Sequence, residues 1–258
     1  MQGSEQRCGT RTIQGAAFSR PPNRRRFVNR RSWFPSGEHL LGRRGFPGYE
    51  RAVNYRWLAP IFDVVAPVFS RYRSPEILTA AVLEIAPDPC ELLDVGIGTG
   101  LSVAPYVGLP QFTRIVGLDP SAAMLQRCRQ KFPRVELHKG TLESQSLGRF
   151  DIIQSCGAVE HISDLAAFLA CVAELLNSDG YFVFTFEPEM PSRFWQRRDA
   201  SHLGTLGSES VFRRRPDDIH AKLRDAEFEI IEDRPFKAYL GLIHHLVLAR
   251  KAITAPPR

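Results

Sequence analysis

The sequence predicts an α/β chain: a doubly wound, mostly parallel sheet of seven strands with helices on both faces. Three observations point there. From residue 91 onward, short apolar runs alternate with segments of helical period. The first run, in ELLDVGIGTG (residues 91–100), opens directly into three glycines at alternating positions, as a strand does where a doubly wound sheet receives its ligand. The last two runs follow one another with no helix between them, so the final strand should return antiparallel.

The elements follow in order. Residues 49–72 hold Trp57, Ile61, Phe62, Val65, Val68 and Phe69 at spacings that suit helical segments. Ser74-Pro75 reads as an N-cap followed by proline at the first helical position, opening a helix with Ile77, Leu78, Ala81, Val82 and Ile85 on one face. Residues 91–95 form a strand, with a short helix expected after Gly100. Residues 114–118 form the second strand and 121–131 a helix that carries Ala122, Met124, Leu125 and Cys128. Short strands are expected at 134–137 and at 150–155 (FDIIQS). Residues 164–176 repeat Leu165, Phe168, Leu169, Val172, Leu175 and Leu176 at the helical period, and Asn177 to Gly180 make the stop. A buried strand at 181–186 (YFVFTF), a helix at 216–225 and closing strands at 227–231 and 242–249 complete the pattern.

At 258 residues and 43% hydrophobic content, the chain has material for one catalytic-size domain plus an extension. No apolar run reaches the roughly 18 residues that span a bilayer; the longest, residues 59–69, is interrupted by Asp63. The five cysteines, Cys8, Cys90, Cys128, Cys156 and Cys171, are scattered and contain no C-x-x-C pair. That argues against a disulfide framework and a zinc site, and for a reducing, cytoplasmic setting. The net charge of +6 is uneven: residues 1–47 carry ten arginines against Glu5 and Glu38, a net of +8 that leaves −2 for the rest. This stretch has no hydrophobic period and reads as disordered. It is a solvated extension, an organellar transit peptide or an RNA-binding arm; composition leaves the three open.

The spacing of the glycine loop narrows its ligand. Dinucleotide binding calls for G-x-G-x-x-G, which would put the third glycine at 101, where Leu101 stands; the register here is Asp94, Gly96, Gly98, Gly100. That spacing disfavours a nicotinamide dehydrogenase. The neighbouring strand then ends in Gly117-Leu118-Asp119-Pro120-Ser121. A carboxylate at that strand tip can take both hydroxyls of a ribose, so loop and aspartate together form a nucleoside-binding pair.

LLDVGIGTG, VGLDPSAAML, FDIIQSCGAVEHISD and LLNSDGYFVFTFE, in that order, resemble the class I S-adenosylmethionine-dependent methyltransferases. The likeness is closest to the small-molecule group that includes the ubiquinone and menaquinone C-methyltransferases. Tyr55-Arg-Trp-Leu-Ala59-Pro-Ile-Phe62-Asp63 is similar to that group's Y-x-x-x-A-x-x-[YF]-D helix, which folds over the cofactor. The resemblance implies a Rossmann-like methyltransferase domain over residues 48–251, with lid helices at its start, a cap insert at 187–215 and a tail at 252–258. It also implies S-adenosyl-L-methionine as cofactor. Asp94 and the backbone of Gly96, Ile97, Gly98 and Gly100 would hold the methionine moiety, Asp119 the ribose, and Ala122 and Met124 would flank the adenine; Pro120, Thr141 and Leu142 would complete the cofactor site. Cys156 and Gly157 would line the sulfonium side. Where the family usually has an aspartate after the third strand, Gly140-Thr141-Leu142-Glu143 stands, so Thr141 or Glu143 would accept from the adenine amine.

Methyl transfer demands alignment and exclusion of water, and only sometimes a base. His161, after the fourth strand, is the candidate base; the alternative is a residue that merely lines the site. Cys156 as a nucleophile lacks a partner cysteine after Cys171, and packing against cofactor is the competing role. The N-P-P-Y signature of adenine and glutamine N-methylation is absent, and the Asp/Asn cluster of a magnesium-dependent catechol site is missing, so no metal is expected. The insert carries Trp195, His202, Phe212 and Arg213-Arg214-Arg215 and reads as a lid over the acceptor, or as a solvated excursion. The reading is a small-molecule methyltransferase; the rivals are an RNA or protein methyltransferase using the basic arm, and a cofactor-binding protein without transfer activity.

Overall fold

The computed structural model describes Asp63 and residues 72–144, 146–189, 212–238 and 242–252, all within the unit Ser32–Arg258. Several expectations lie outside the described residues: those for 1–47, for the helical segments before Tyr72 other than Asp63, for Trp195 and His202, and for all of the tail but Ala252.

In chain order the elements are α1 (Ser74–Ile85), β1 (Cys90–Val95), β2 (Phe112–Asp119), α2 (Ala122–Lys131), β3 (Glu136–Lys139), β4 (Phe150–Cys156), α3 (Leu165–Leu175), β5 (Leu176–Phe186), α4 (Pro216–Asp225), β6 (Phe228–Lys237) and β7 (Ile243–Lys251). They build one seven-stranded sheet in the order β3-β2-β1-β4-β5-β7-β6. The first five strands in that order run parallel, and β7 inserts antiparallel between β5 and β6. The chain winds outward from β1 in one direction and from β4 in the other. Such a reversal leaves a crevice at the carboxyl ends of the two central strands.

Strand residues alternate between two cores because successive side chains point to opposite faces. On one face Leu93, Ile153, Phe182, Phe184, Phe186 and Val247 pack against Phe168 and Val172 of α3 and Ile219 and Leu223 of α4. On the other Leu92, Ile152, Val183, Leu246 and Leu248 meet Leu78 and Val82 of α1 and Leu125 and Cys128 of α2. The aromatic stripe of β5 is stacked along its own strand, with Phe182 and Phe184 ring centroids 4.6 Å apart.

Four local expectations are corrected. The helix after Gly100 is a run of turns through residues 101–108; Pro105 sits inside it and has no N–H to continue a ladder. Ser74 is the first residue of α1 rather than its cap, and its buried hydroxyl lies 3.4 Å from His244 Nδ1 instead. The stop at 177–180 is an excursion within β5: pairing passes from Phe150↔Leu176 to Ile152↔Tyr181, which leaves Ser178 and Asp179 exposed. β6 runs on through Glu232, Asp233, Arg234 and Pro235. Its place at the sheet edge tolerates the charges and proline that read as a loop.

Candidate active site

The crevice at the carboxyl ends of β1 and its neighbours is a cavity of about 1330 Å³. Gly96, Ile97, Gly98, Asp119, Pro120, Ala122, Met124, Thr141, Leu142, Glu143, Cys156, Gly157 and His161 all line it, so the structure brings the expected residues to one place. Asp94 and Gly100 are not among its lining residues.

Asp94 lies beneath the glycine loop with no exposed surface. Its Oδ2 accepts from Ser102 Oγ and from Gln154 Nε2 at 2.8 Å, and the Gln154 carbonyl oxygen accepts from the Tyr106 hydroxyl at 3.1 Å. Oδ1 is buried and accepts from none of the described residues. Burial pushes the Asp94 carboxyl up to about 6; the Ser102 and Gln154 hydrogen bonds oppose the rise and the nearby Asp119 charge adds to it. Above it the backbone turns sharply: the amides of Gly96 and Ile97 both donate to Leu118 O. Gly96 sits at φ +80°, and a Cβ there would come within 2.5 Å of Ala158 Cβ, so no other residue fits. Gly100, at φ +85°, serves a different end from the one expected. A Cβ on it would meet Cys128 Sγ and the Phe132 ring at 2.9 Å, so it seats the loop on α2 rather than on a ligand.

Asp119 closes β2 at 8% exposure. Gly98 N donates to its Oδ2 at 2.9 Å and Ser121 N to its Oδ1 at 2.8 Å. The carboxylate is thereby held flat against the loop. Burial pushes it up to about 6 despite those two bonds. Ser121 also caps α2, accepting from Met124 N at 3.4 Å. Past β3, Gly140 N donates to Asp119 O at 3.2 Å, which brings exposed Thr141 and buried Leu142 to the cavity wall.

The β4 side differs in character. Gly157 N donates to Thr185 O at 3.3 Å and to Thr185 Oγ1 at 3.1 Å. The Cys156 sulfur lies 3.7 Å from the Tyr72 hydroxyl and accepts from Thr185 Oγ1 at 3.8 Å. Burial raises the Cys156 thiol far above its ordinary value, with the Tyr72 contact acting against the rise. It is a neutral thiol at physiological pH, which removes the basis for a nucleophilic role. The next turn, Val159–His161, carries His161 into the cavity lining. That turn is clamped from behind: Arg214 donates to the carbonyls of Ile162 at 2.6 Å, Ser163 at 3.1 Å and Val159 at 3.4 Å, while Phe212 N donates to Glu160 O at 2.6 Å.

The three consecutive arginines therefore do separate work. Arg213 pairs with the nearly buried Glu187 at 3.1 Å, Arg214 holds the His161 turn, and exposed Arg215 pairs with Asp218 at the start of α4. Asp63, the end of the Tyr55–Asp63 motif, accepts from the Thr99 hydroxyl in the glycine loop and from Lys131 Nζ at 2.7 Å. Asp151 takes Glu91 N and the Asn177 amide, at 2.8 and 2.7 Å, and is structural. Sequence reasoning missed Tyr72, Ser121 and the Arg214 clamp. Only Ser121 carried a local signal, as an N-cap residue ahead of a helical period.

Residues 93–184 match the family profile described as a methyltransferase domain. The match spans the loop, Asp119 and the strand tips through β5. The ubiquinone biosynthesis O-methyltransferase of Bradyrhizobium sp. (strain ORS 278) is 30% identical over 134 residues, 50% of this chain and 49% of that protein. Its counterpart in Nitrobacter winogradskyi is also 30% identical over 134 residues, 50% of this chain and 48% of that protein. The chain thus spans about half the length of the curated relatives it matches. Among solved structures, magnesium protoporphyrin IX methyltransferase from Synechocystis PCC 6803 with bound SAH superposes with a TM-score of 0.57 at 16% identity, covering 70% of this chain and 83% of that one. An S-adenosylmethionine-dependent methyltransferase from Mesorhizobium loti gives 0.54 at 20% identity, over 66% and 96%.

This is a Rossmann-like methyltransferase fold. The likeness to S-adenosylmethionine-dependent methyltransferases read from the motifs stands, and the curated relatives carry the ubiquinone theme with oxygen, rather than carbon, as the methylated atom. In the methyltransferase fold the sheet order explains the site: β1 and β2 lie side by side, with Asp94 paired to Gly117 and Val95 to Leu118, so glycine loop and Asp119 emerge together.

Proposed function

We propose that the protein is an S-adenosylmethionine-dependent methyltransferase that passes a methyl group to a small-molecule acceptor. The observation that carries the reading is the convergence of a backbone-lined glycine turn and a buried carboxylate, Asp119, on one cavity. The residues fit this cofactor. Gly96 and Gly98 present backbone where a Cβ has no room or must adopt φ +55°, and Asp119 offers charged acceptors to vicinal hydroxyls. The buried Asp94 Oδ1, which has no partner among the described residues, supplies negative charge beneath a cationic ligand. When bound, the cofactor supplies an electrophilic methyl group on a sulfonium. The protein aligns the acceptor, excludes water and, at His161, offers a base for the acceptor's proton. The cavity volume of about 1330 Å³ exceeds the roughly 300–1,000 Å³ of ordinary ligand pockets, which leaves space for cofactor and acceptor together. The ubiquinone biosynthesis O-methyltransferase relatives support an oxygen on a small molecule as the acceptor.

Titration with S-adenosylhomocysteine, S-adenosylmethionine and NADH tests the reading: heat with the first two and none with NADH is expected, and the reverse overturns it. Methyl-labelled donor offered with a panel of phenols then identifies the acceptor class. The ten arginines of residues 1–47 support a second reading, methylation of RNA held by a basic arm. Turnover that collapses with salt and with removal of those residues would favour it.

A further inference from the structure

The turn that carries His161 is fixed from two sides by distant parts of the chain. Ala158, at its start, abuts the glycine loop: a Cβ built on Gly96 would come within 2.5 Å of Ala158 Cβ. At its rear stands Arg214. Val159–His161 is a single 3₁₀ turn, too short to satisfy its own carbonyls and those that follow it. The Arg214 guanidinium satisfies three of them, Val159 O, Ile162 O and Ser163 O, and also bonds to Phe212 O at 3.1 Å. A planar fork of five N–H donors serves several carbonyls at once, which the point charge of a lysine does less well. Unlike Arg213 and Arg215, Arg214 forms no ion pair among the described residues, and all of these bonds go to backbone oxygens. His161, Ile162 and Ser163 line the cavity and Arg214 does not, so the turn stands between the arginine and the cavity. Arg214 is itself held. Its backbone forms a parallel bridge with Pro188, and its carbonyl accepts from Glu189 N at 3.0 Å, just beyond the end of β5.

Resting on the reading of His161 as the base for the acceptor's proton, we propose that Arg214 is its positioning residue. By drawing three carbonyls to the rear of the turn, the guanidinium leaves the imidazole one placement at the cavity wall. A base must stand within hydrogen-bond reach of the proton it takes, and a misplacement of about 1 Å costs on the order of 10²-fold in rate. Without the fork, the turn keeps the bond from Phe212 N to Glu160 O and its own two bonds, from His161 N to Ala158 O and from Ile162 N to Val159 O. The segment can rock about them, and the ring then samples several positions. Support for His161 thus comes from β4, which leads into the turn, and from β5 through Pro188, Glu189 and Arg214.

Side-chain magnetic resonance of the full chain reads the ring without any acceptor, the His161 signal being assigned by its loss in His161→Ala. Wild type is expected to give one sharp imidazole signal, Arg214→Met a broadened or split one, and Arg214→Lys an intermediate one. Arg215→Met, which removes the neighbouring charge from its exposed pair with Asp218, should leave the signal single. A sharp signal at the wild-type position in Arg214→Met overturns the proposal even where the Tm falls, because a residue that only stabilises the fold leaves the folded ring in place. A wild-type signal that is already broad, or equal broadening in Arg215→Met, overturns it too. Should Arg214→Met fail to fold, the Arg214→Lys signal decides by the same criterion. With an acceptor that the wild type methylates, kcat of Arg214→Met should fall about 10- to 100-fold, while KM and the Kd for S-adenosylhomocysteine stay within threefold. A kcat loss in His161→Ala alone refutes the role of Arg214, whereas no loss in His161→Ala refutes the base reading on which it rests.

Discussion

Replacing Asp119 with asparagine should strengthen the empty protein and weaken its cofactor site at once. The carboxyl titrates near 6 against an ordinary 3.8 because it is buried. Its folded form holds a proton more tightly than its unfolded form, so charging it opposes folding. The penalty is absent below 3.8, grows as pH rises toward 6 and is complete above that. A group so shifted costs on the order of 3 kcal/mol at neutral pH. Asparagine removes the charge. Its amide accepts from only one of Gly98 N and Ser121 N, which now meet Oδ2 and Oδ1. Leaving the other donor without an acceptor costs about 1–2 kcal/mol. The balance is a gain of roughly 1 kcal/mol, or about 2–4 °C in the Tm of the unliganded protein by differential scanning calorimetry. The same change deletes a charge-assisted bond to the ribose, worth about 1.5–3 kcal/mol, so the Kd for S-adenosylhomocysteine should rise about 10- to 150-fold. In wild type that Kd should also rise as pH falls through 6, because the proton competes with the hydroxyls, and the acid limb should be flatter in the variant. A variant that melts lower and binds within threefold of wild type would refute the reasoning on both counts.

Gly100→Ala should lose about 1–3 kcal/mol of stability to urea, from a left-handed φ and contact with Cys128 and Phe132; because Gly100 faces α2 and not the cavity, the Kd for S-adenosylhomocysteine should stay within threefold. Arg214→Met should lower hydrogen-exchange protection of the His161 and Ile162 amides, which bond to Ala158 O and Val159 O at 3.0 and 3.2 Å, while amides of β1 keep theirs; Arg214→Lys should fall between the two. His161→Ala should slow turnover by at least about tenfold if the imidazole takes the acceptor's proton, with S-adenosylhomocysteine affinity within twofold, and a rate within twofold of wild type would return His161 to a structural role.

The halves of the site differ in how readable they were. The glycine loop and Asp119 are legible because the constraint is local. A strand must end, the backbone must turn at positive φ, and a carboxylate must follow the adjacent strand, all within short windows. Even there, the sequence could not say that Gly96 faces Ala158 while Gly100 faces α2, since both are simply glycines two turns of the loop apart. Tyr72 was opaque for the opposite reason: its sulfur neighbour is 84 positions away, and nothing around an isolated tyrosine marks it. Arg213, Arg214 and Arg215 read as one charge run, but an extended backbone sends neighbouring side chains to different places. They reach an ion pair, a set of carbonyls and a helix start. β6 was cut short because edge position, which excuses charges and proline, is a property of the sheet and not of the segment.

The electrostatics of the empty site bear on the ligand independently of the glycine spacing. Asp94 and Asp119 stand at the ends of adjacent strands, both buried and both raised to about 6, and the charge of Asp119 adds to the rise at Asp94. Two buried carboxylates, one of them made costlier to ionise by the other's charge, make a floor of negative potential in a region shielded from water. A dinucleotide would bring a pyrophosphate to that floor and deepen the repulsion. A nucleoside that carries an ammonium and a sulfonium relieves it, and its hydroxyls give Asp119 the donors that burial withholds. The positive charge also makes the methyl group transferable, so the electrostatic pressure that selects the donor weakens once transfer leaves a neutral thioether in its place.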